Sequence, residues 1–170
     1  MKKFLFVFLI TLTACSASLL AKDNKNFVPR LNAFPLGAGV EFQVKDRFTL
    51  YTGLGLGINI AYKDNKVKAN YPLFLAASPR YYYNIQKRKN QGKRVDKFSG
   101  NYLGISFIKT LSSWGSPDLE LVASIGPVWG LQRNIGKSGY YNLGIGFGAN
   151  FWKDSTSLFV GGSITIGFAF

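Results

Sequence analysis

The sequence predicts an all-β chain, closed into an antiparallel up-and-down transmembrane β-barrel of eight strands. Three observations predict it. Apolar and small residues alternate with a period of two, the spacing of a strand and not of a helix. The non-apolar face of the alternating runs is built from Gly, Ser, Asn and Ala, whereas a strand face turned to water carries Lys, Glu, Thr and Arg. Several of the runs are also long, such as 11 residues at Tyr141–Phe151 and 15 at Phe48–Tyr62. A tilted membrane strand needs about 9–11 residues, and a soluble strand averages about five or six.

At 170 residues the chain suits one domain. Apolar residues make up 47% and charged residues 17%, against about 25% charged in an average soluble domain. Lys2 and Lys3 precede an apolar run, Phe4–Leu12, and small residues follow to Ser18. This reads as a cleaved export signal over residues 1–21, since a membrane-spanning helix needs about 20 apolar residues. Residues 22–170 are then the barrel. No later stretch is long and apolar enough for a spanning helix, so a membrane protein with this sequence crosses with strands. The single cysteine excludes an intramolecular disulfide. The context Leu12-Thr13-Ala14-Cys15 resembles the lipobox of bacterial lipoproteins, which implies lipidation of Cys15. The alternative is that Cys15 is discarded with the signal, cleaved after Ala17, Ser18 or Ala21.

Each strand is justified by its alternation. In Phe48–Tyr62, Phe48, Leu50, Leu54, Leu56, Ile58 and Ile60 share one face, and Gly53, Gly55, Gly57 and Asn59 the other. Leu119–Leu131 places Leu121, Ile125, Pro127 and Trp129 together. Tyr141–Phe151 sets Leu143, Ile145 and Phe147 against Gly144, Gly146 and Gly148. The last run sets Ile164, Ile166, Phe168 and Phe170 against Ser163, Thr165, Gly167 and Ala169. Weaker alternation marks Leu36–Val44, Tyr71–Asn84 and Ser99–Ile108. The eighth strand is assigned to Asn26–Phe34, with a turn at Pro35–Gly37 and with Pro29 weakening the pattern. Glycine at alternate positions suits a crowded narrow interior. Pro79 and Pro127 lie within runs, and each is expected to mark a bulge or a lost ladder bond. Of the cations, Arg80 alone is expected well inside a strand.

The inward face is expected to hold Glu41, Gln43, Asn59, Arg80, Glu120, Asn142 and Asn150. Buried charges must be paired, so Arg80 is expected to meet Glu41 or Glu120 in a lumen polar network. The chain has no histidine, which excludes Ser–His–Asp catalysis and imidazole-bound metal. Gly53-x-Gly55-x-Gly57 and Gly144-x-Gly146-x-Gly148 lie on strand faces with no helix following, so neither is a dinucleotide fingerprint. No catalytic residue, metal or cofactor is expected. Net charge is +13, or +11 without Lys2 and Lys3 (13 minus 2). Lys87, Arg88, Lys89, Lys93, Arg94 and Lys97 cluster in one connection. A solvated turn is the plain reading; anionic lipid head groups are the candidate partner. Nucleic acid is not expected for an exported chain.

The terminal pattern Ile164-x-Ile166-x-Phe168-x-Phe170 resembles the last strand of outer-membrane barrels, which the barrel-assembly machinery recognises. Arg80-Tyr81-Tyr82-Tyr83-Asn84, Ser99-Gly100-Asn101-Tyr102 and Gly126-Pro127-Val128-Trp129-Gly130 resemble stretches of small outer-membrane β-barrel domain proteins of the eight-stranded OmpA/OmpX-like class. The resemblance implies the outer membrane of a diderm bacterium, contact with its lipids, and a non-enzymatic structural or surface-interaction role. A narrow conduit for solutes or lipids, and a soluble exported barrel binding an apolar ligand, are the alternatives. With the last residue on the periplasmic side, Lys63–Asn70, Lys109–Asp118 and Trp152–Thr156 become outer loops. Lys45–Arg47, Ile85–Phe98 and Gln132–Ser138 become periplasmic turns. Aromatic girdles then fall at both ends: Phe48, Tyr81, Tyr83, Trp129, Tyr141 and Phe168 at one, Tyr62, Tyr71, Trp114, Phe151 and Trp152 at the other.

Overall fold

Long alternating strands joined by short turns pair with their sequence neighbours, and small residues on one face let the resulting sheet curl. In the computed structural model, residues 26–63, 65–115 and 121–170 are described. The predicted signal with Cys15 and the predicted network member Glu120 lie outside the described residues, as does the side chain of Tyr62.

The fold is all-β. Its strands are β1 (Phe27–Phe34), β2 (Gly37–Lys45), β3 (Phe48–Leu56), β4 (Asn59–Lys63), β5 (Lys66–Tyr81), β6 (Asn101–Gly115), β7 (Leu121–Ile135), β8 (Gly139–Trp152) and β9 (Thr156–Ala169). All pairings are antiparallel, and β1 pairs with β9, with Leu31 opposite Phe168, so the sheet closes into a ring. The ring has nine strands where eight were expected, and β5 shows why. It pairs with β3 through Leu73 opposite Leu56, and with β4 through Asn70 opposite Asn59. The single run expected over Phe48–Tyr62 is one path broken at Gly57–Ile58, so β3 and β4 occupy one place around the ring. β1 lies where the weak pattern around Pro29 put it.

Several expectations are corrected. Lys63–Asn70, Lys109–Asp118 and Gln132–Ser138 are largely strand and not connection. Ladder bonds join backbones, so pairing continues past the apolar stretch, as where Asn70 faces Gly115 and Gln132 faces Asn142. Cations other than Arg80 therefore lie within strands: Arg30 in β1, Lys66 and Lys68 in β5, Lys109 in β6 and Arg133 in β7. The expectation at Pro79 and Pro127 is met by lost ladder pairs and not by bulges. Toward β6, the register from Ala77–Phe107 to Arg80–Gly104 is unchanged, and only the pairs at Ser78 and Pro79 are lost. Toward β8, the same holds between Ile125–Ala149 and Val128–Gly146. The register shifts fall elsewhere, at Asn32/Phe34, Gln43/Lys45, Leu73/Phe74 and Leu121/Ala123.

The longest connection is folded. It carries α1 (Ile85–Asn90) and a 3₁₀ turn at Asp96–Phe98. Tyr82 and Phe98 from this segment pack with Val28, Tyr102 and Tyr140 to fill the ring at this end. The connection is tied across the end, since Lys97 Nζ donates to Ala169 O at 2.6 Å and to Lys137 O at 3.1 Å.

The faces divide by side-chain size. Leu143, Ile145 and Phe147 of β8 and Ile164, Ile166 and Phe168 of β9 point outward and are exposed. Inside, glycine is required by close approach. A Cβ at Gly130 would enter the Tyr102 ring, and one at Gly126 would meet the Phe147 carbonyl. Gly162 has its nearest neighbour at 3.5 Å. Gly126→Ala and Gly130→Ala should each lower stability by about 1–3 kcal/mol, and Gly162→Ala should change it little, as read from urea midpoints.

Candidate functional site

The strands aim a set of polar side chains at one point inside the ring. Glu41 of β2 is fully buried. Its Oε1 accepts hydrogen bonds from Thr49 Oγ1 at 2.7 Å and Tyr82 OH at 2.8 Å. Its Oε2 accepts from Arg30 NH2 at 2.8 Å, Gln132 Nε2 at 3.3 Å and Arg80 NH1 at 3.4 Å. Period-two geometry explains the convergence: Arg30 alternates with Pro29 and Leu31, and Arg80 with Pro79 and Tyr81, so each cation takes the inward face.

Two buried guanidinium groups face one carboxylate. The excess positive charge is met by aromatic faces. Arg80 lies 4.5 Å from the Tyr51 ring centre and 4.6 Å from that of Tyr102, and Arg30 lies 4.6 Å from that of Tyr140. Desolvated contacts of this kind contribute about 2 kcal/mol each. Among the described residues, Nε and NH1 of Arg30 and Nε of Arg80 have no hydrogen-bond partner, and the ring faces are the neighbouring groups that offset the charge. Further up the interior, Asn142 accepts from Tyr102 OH at 3.1 Å, and Asn32 accepts from Tyr140 OH.

The connection between β5 and β6 is docked onto this cluster through its backbone. Arg30 NH2 donates to Lys97 O at 2.9 Å, and Gln132 Nε2 donates to Phe98 O at 3.0 Å. Lys97 and Phe98 hold φ of 48° and 58°. That conformation is costly for side-chain-bearing residues and persists where surrounding contacts over-determine it. Here those contacts are the two inward carbonyls.

Of the expected lumen residues, Glu41, Arg80 and Asn142 are buried together inside the ring. Gln43 turns to its own hairpin and donates to Asp46 O at 2.5 Å. Asn59 and Asn150 are half-buried and stand outside the cluster. Sequence reasoning missed Arg30, Thr49, Tyr82 and Gln132. A signal existed for Arg30, because Val28, Arg30 and Asn32 alternate with Phe27, Pro29 and Leu31. Gln132 falls in an expected turn, because the apolar pattern stops at Leu131.

The basic connection is only partly a solvated turn. Lys87, Lys89, Lys93 and Arg94 are exposed, while Arg88 and Lys97 are half-buried. Arg88 donates to Arg94 O at 2.9 Å. Arg94 forms a two-pronged pair with Asp96, at 2.9 and 2.8 Å, and reaches Gly136 O across the end. Among the described residues, no group of three or more His, Cys, Asp or Glu side chains could hold a metal ion. No family model, curated relative or solved structure matches the chain.

Two expectations follow. Glu41→Gln strands two buried cations and should cost about 3–5 kcal/mol, whereas Arg80→Met leaves the Arg30–Glu41 pair intact and should cost less. Urea midpoints of both variants at neutral pH check the order. The Arg94 hydrogen bond holds Asp96 below the usual carboxylate range, with burial opposing it. A lowered folded value means that this stabilisation is complete above the unfolded carboxylate range and is lost as pH falls through the folded value. Both groups are near half exposure, so the effect should stay below about 1 kcal/mol. Asp96→Asn should flatten that part of the acid limb of stability against pH.

Proposed function

We propose that the ring is a transmembrane β-barrel in the outer membrane of a diderm bacterium, serving a structural or surface-interaction role without enzymatic chemistry. In this reading the signal over residues 1–21 directs export. The barrel-assembly machinery engages the terminal pattern Ile164, Ile166, Phe168 and Phe170. The observation that carries the reading is the inversion of the two faces. Leucine, isoleucine and phenylalanine cover the outside, while Arg30, Glu41, Arg80 and Gln132 are buried inside. In water so wide an apolar exterior invites association; against hydrocarbon it is the stable arrangement.

Other features support it. Phe48 stacks on Tyr81 with ring centres 4.8 Å apart, and Trp129 Nε1 donates to Tyr83 OH at 2.8 Å, all near the filled end. Tyr71, Trp114 and Phe151 are exposed toward the other end. Such girdles suit two membrane interfaces. An apolar depression of about 340 Å³ on the outer wall, lined in part by Pro29, Leu31, Val40, Leu75 and Phe170, has the character of an alkyl-chain seat. Exposed Lys87, Lys89 and Lys93 at the filled end suit anionic head groups, at about 1 kcal/mol per cation near such a surface. The apolar-ligand alternative needs the opposite side-chain orientation. The conduit alternative needs an open lumen, and Tyr82, Phe98, Tyr102 and Tyr140 occupy it at one end.

Fractionation of cell envelopes tests the proposal. The chain should need detergent for extraction and should migrate differently on gels before and after boiling. Ile145 is 56% exposed on the outer wall, and Ile145→Arg should cost about 2–4 kcal/mol near the midplane and reduce the inserted fraction. Recovery of the native chain in the detergent-free supernatant would defeat the reading. Planar bilayers holding the chain should show no conductance steps.

A further inference from the structure

The wall of the ring is uneven in height. The β1–β2 hairpin turns at Pro35–Leu36, and the last β1–β9 pair is Phe34 with Ile166. Above that pair β9 continues for ten residues, Thr156–Thr165, and these pair with β8 on one side only among the described residues. On the far side of the hairpin, β3 leaves β2 at Gly55–Gly37, and the path continues as β4, which among the described residues pairs with β5 alone. A notch two strands wide therefore stands above the hairpin, bounded by the free edges of β4 and β9. Five successive antiparallel pairings separate these edges, so β4 and β9 run in opposite directions.

The side chains beside the notch include the two most exposed large apolar groups among the described residues, Leu158 at 88% and Val160 at 82%, and also Ile60 at 69%. Unpaired strand edges are templates for another strand, and in hydrocarbon each unsatisfied backbone group costs several kcal/mol. Both edges therefore favour a strand partner, the β9 edge most where it meets hydrocarbon if the ring lies in a membrane.

We propose that the partner is a second copy of this chain, and that two copies pair reciprocally, β4 of one against β9 of the other. The inference rests on the membrane reading, which gives both copies the same orientation. A two-fold axis along the membrane normal then places each β4 opposite the partner's β9. Because the two edges run in opposite directions, both contacts are antiparallel ladders, and the symmetry closes without open-ended growth. The same axis sets β9 against β9 only in parallel, which leaves β4 uncovered. Reciprocal pairing covers the five residues Asn59–Lys63 of each copy and brings Ile58 and Ile60 beside Leu158 and Val160 on one apolar face.

Cross-linking in intact envelopes tests this. Two differently tagged copies, both Cys15→Ala, carry Ile60→Cys and Val160→Cys respectively and are treated with a flexible bismaleimide. The mixed pair should give several-fold more doubly tagged dimer than either variant alone, and the detergent-extracted native chain should have twice the monomer mass by light scattering. Equal cross-linking in all three samples overturns the proposal. So does capture of a different protein only, or an intramolecular link in one chain carrying both cysteines, which would mean that β4 and β9 close on each other. In each of these cases a heat-modifiable, membrane-bound chain leaves the membrane reading standing. A chain in the soluble fraction overturns both.

Discussion

A single buried carboxylate organises the interior. Glu41 is reached from β1 by Arg30, from β3 by Thr49, from β5 by Arg80, from the following connection by Tyr82 and from β7 by Gln132. Five places around the ring therefore share one anion. A buried ion must have its partners close and its lone pairs filled, and all five contacts on Glu41 do this at once. The same two arginine and glutamine side chains that touch the carboxylate, Arg30 and Gln132, also seat the carbonyls of Lys97 and Phe98. Neutralising the interior and stopping one end of the ring are thus one piece of physics.

The outer wall follows from the same division. Once the polar groups gather inside, the alternate positions face outward, and leucine, isoleucine, valine and aromatic residues predominate there, with Lys109, Pro127 and Gly162 among them. Small residues make the arrangement fit. Tyr102 can stack against Arg80 only because its neighbour across the β6–β7 pairing is Gly130. The cation, the ring and the glycine form a chain of dependence across three strands, and the crowding leaves little free space at that level.

Much of the sheet was legible in the sequence because alternation is a local signal. β8 and the end of β9 from Ser163 can be read residue by residue, and the inward position of Arg80 follows from its parity. The earlier part of β9 (Thr156–Gly162) lies outside the runs expected from the sequence. What was not legible depends on contacts between distant segments. Gln132 lies beyond the apolar stretch, so its place in β7 rests on pairing with Asn142 and not on its own neighbours. Arg30 sits beside Pro29, which obscures the strand pattern. The stretch from Ile85 to Phe98 has a helix of only six residues, and its course is set by hydrogen bonds to Arg30 and Gln132, far away in sequence. The step in wall height above Pro35–Leu36 also depends on how far β8 and β9 extend together, which no local pattern records.

Closure of the ring joins the first described strand to the last. Arg30 meets Ala169 and Phe34 meets Ile166, and the seam is short beside the long β8–β9 ladder. Pairs so remote in sequence confine nearly the whole chain when they form, and such contacts are slow to nucleate. Every other hairpin can form from adjacent strands. Closure at the seam is therefore expected to come late, after the hairpins of adjacent strands have formed.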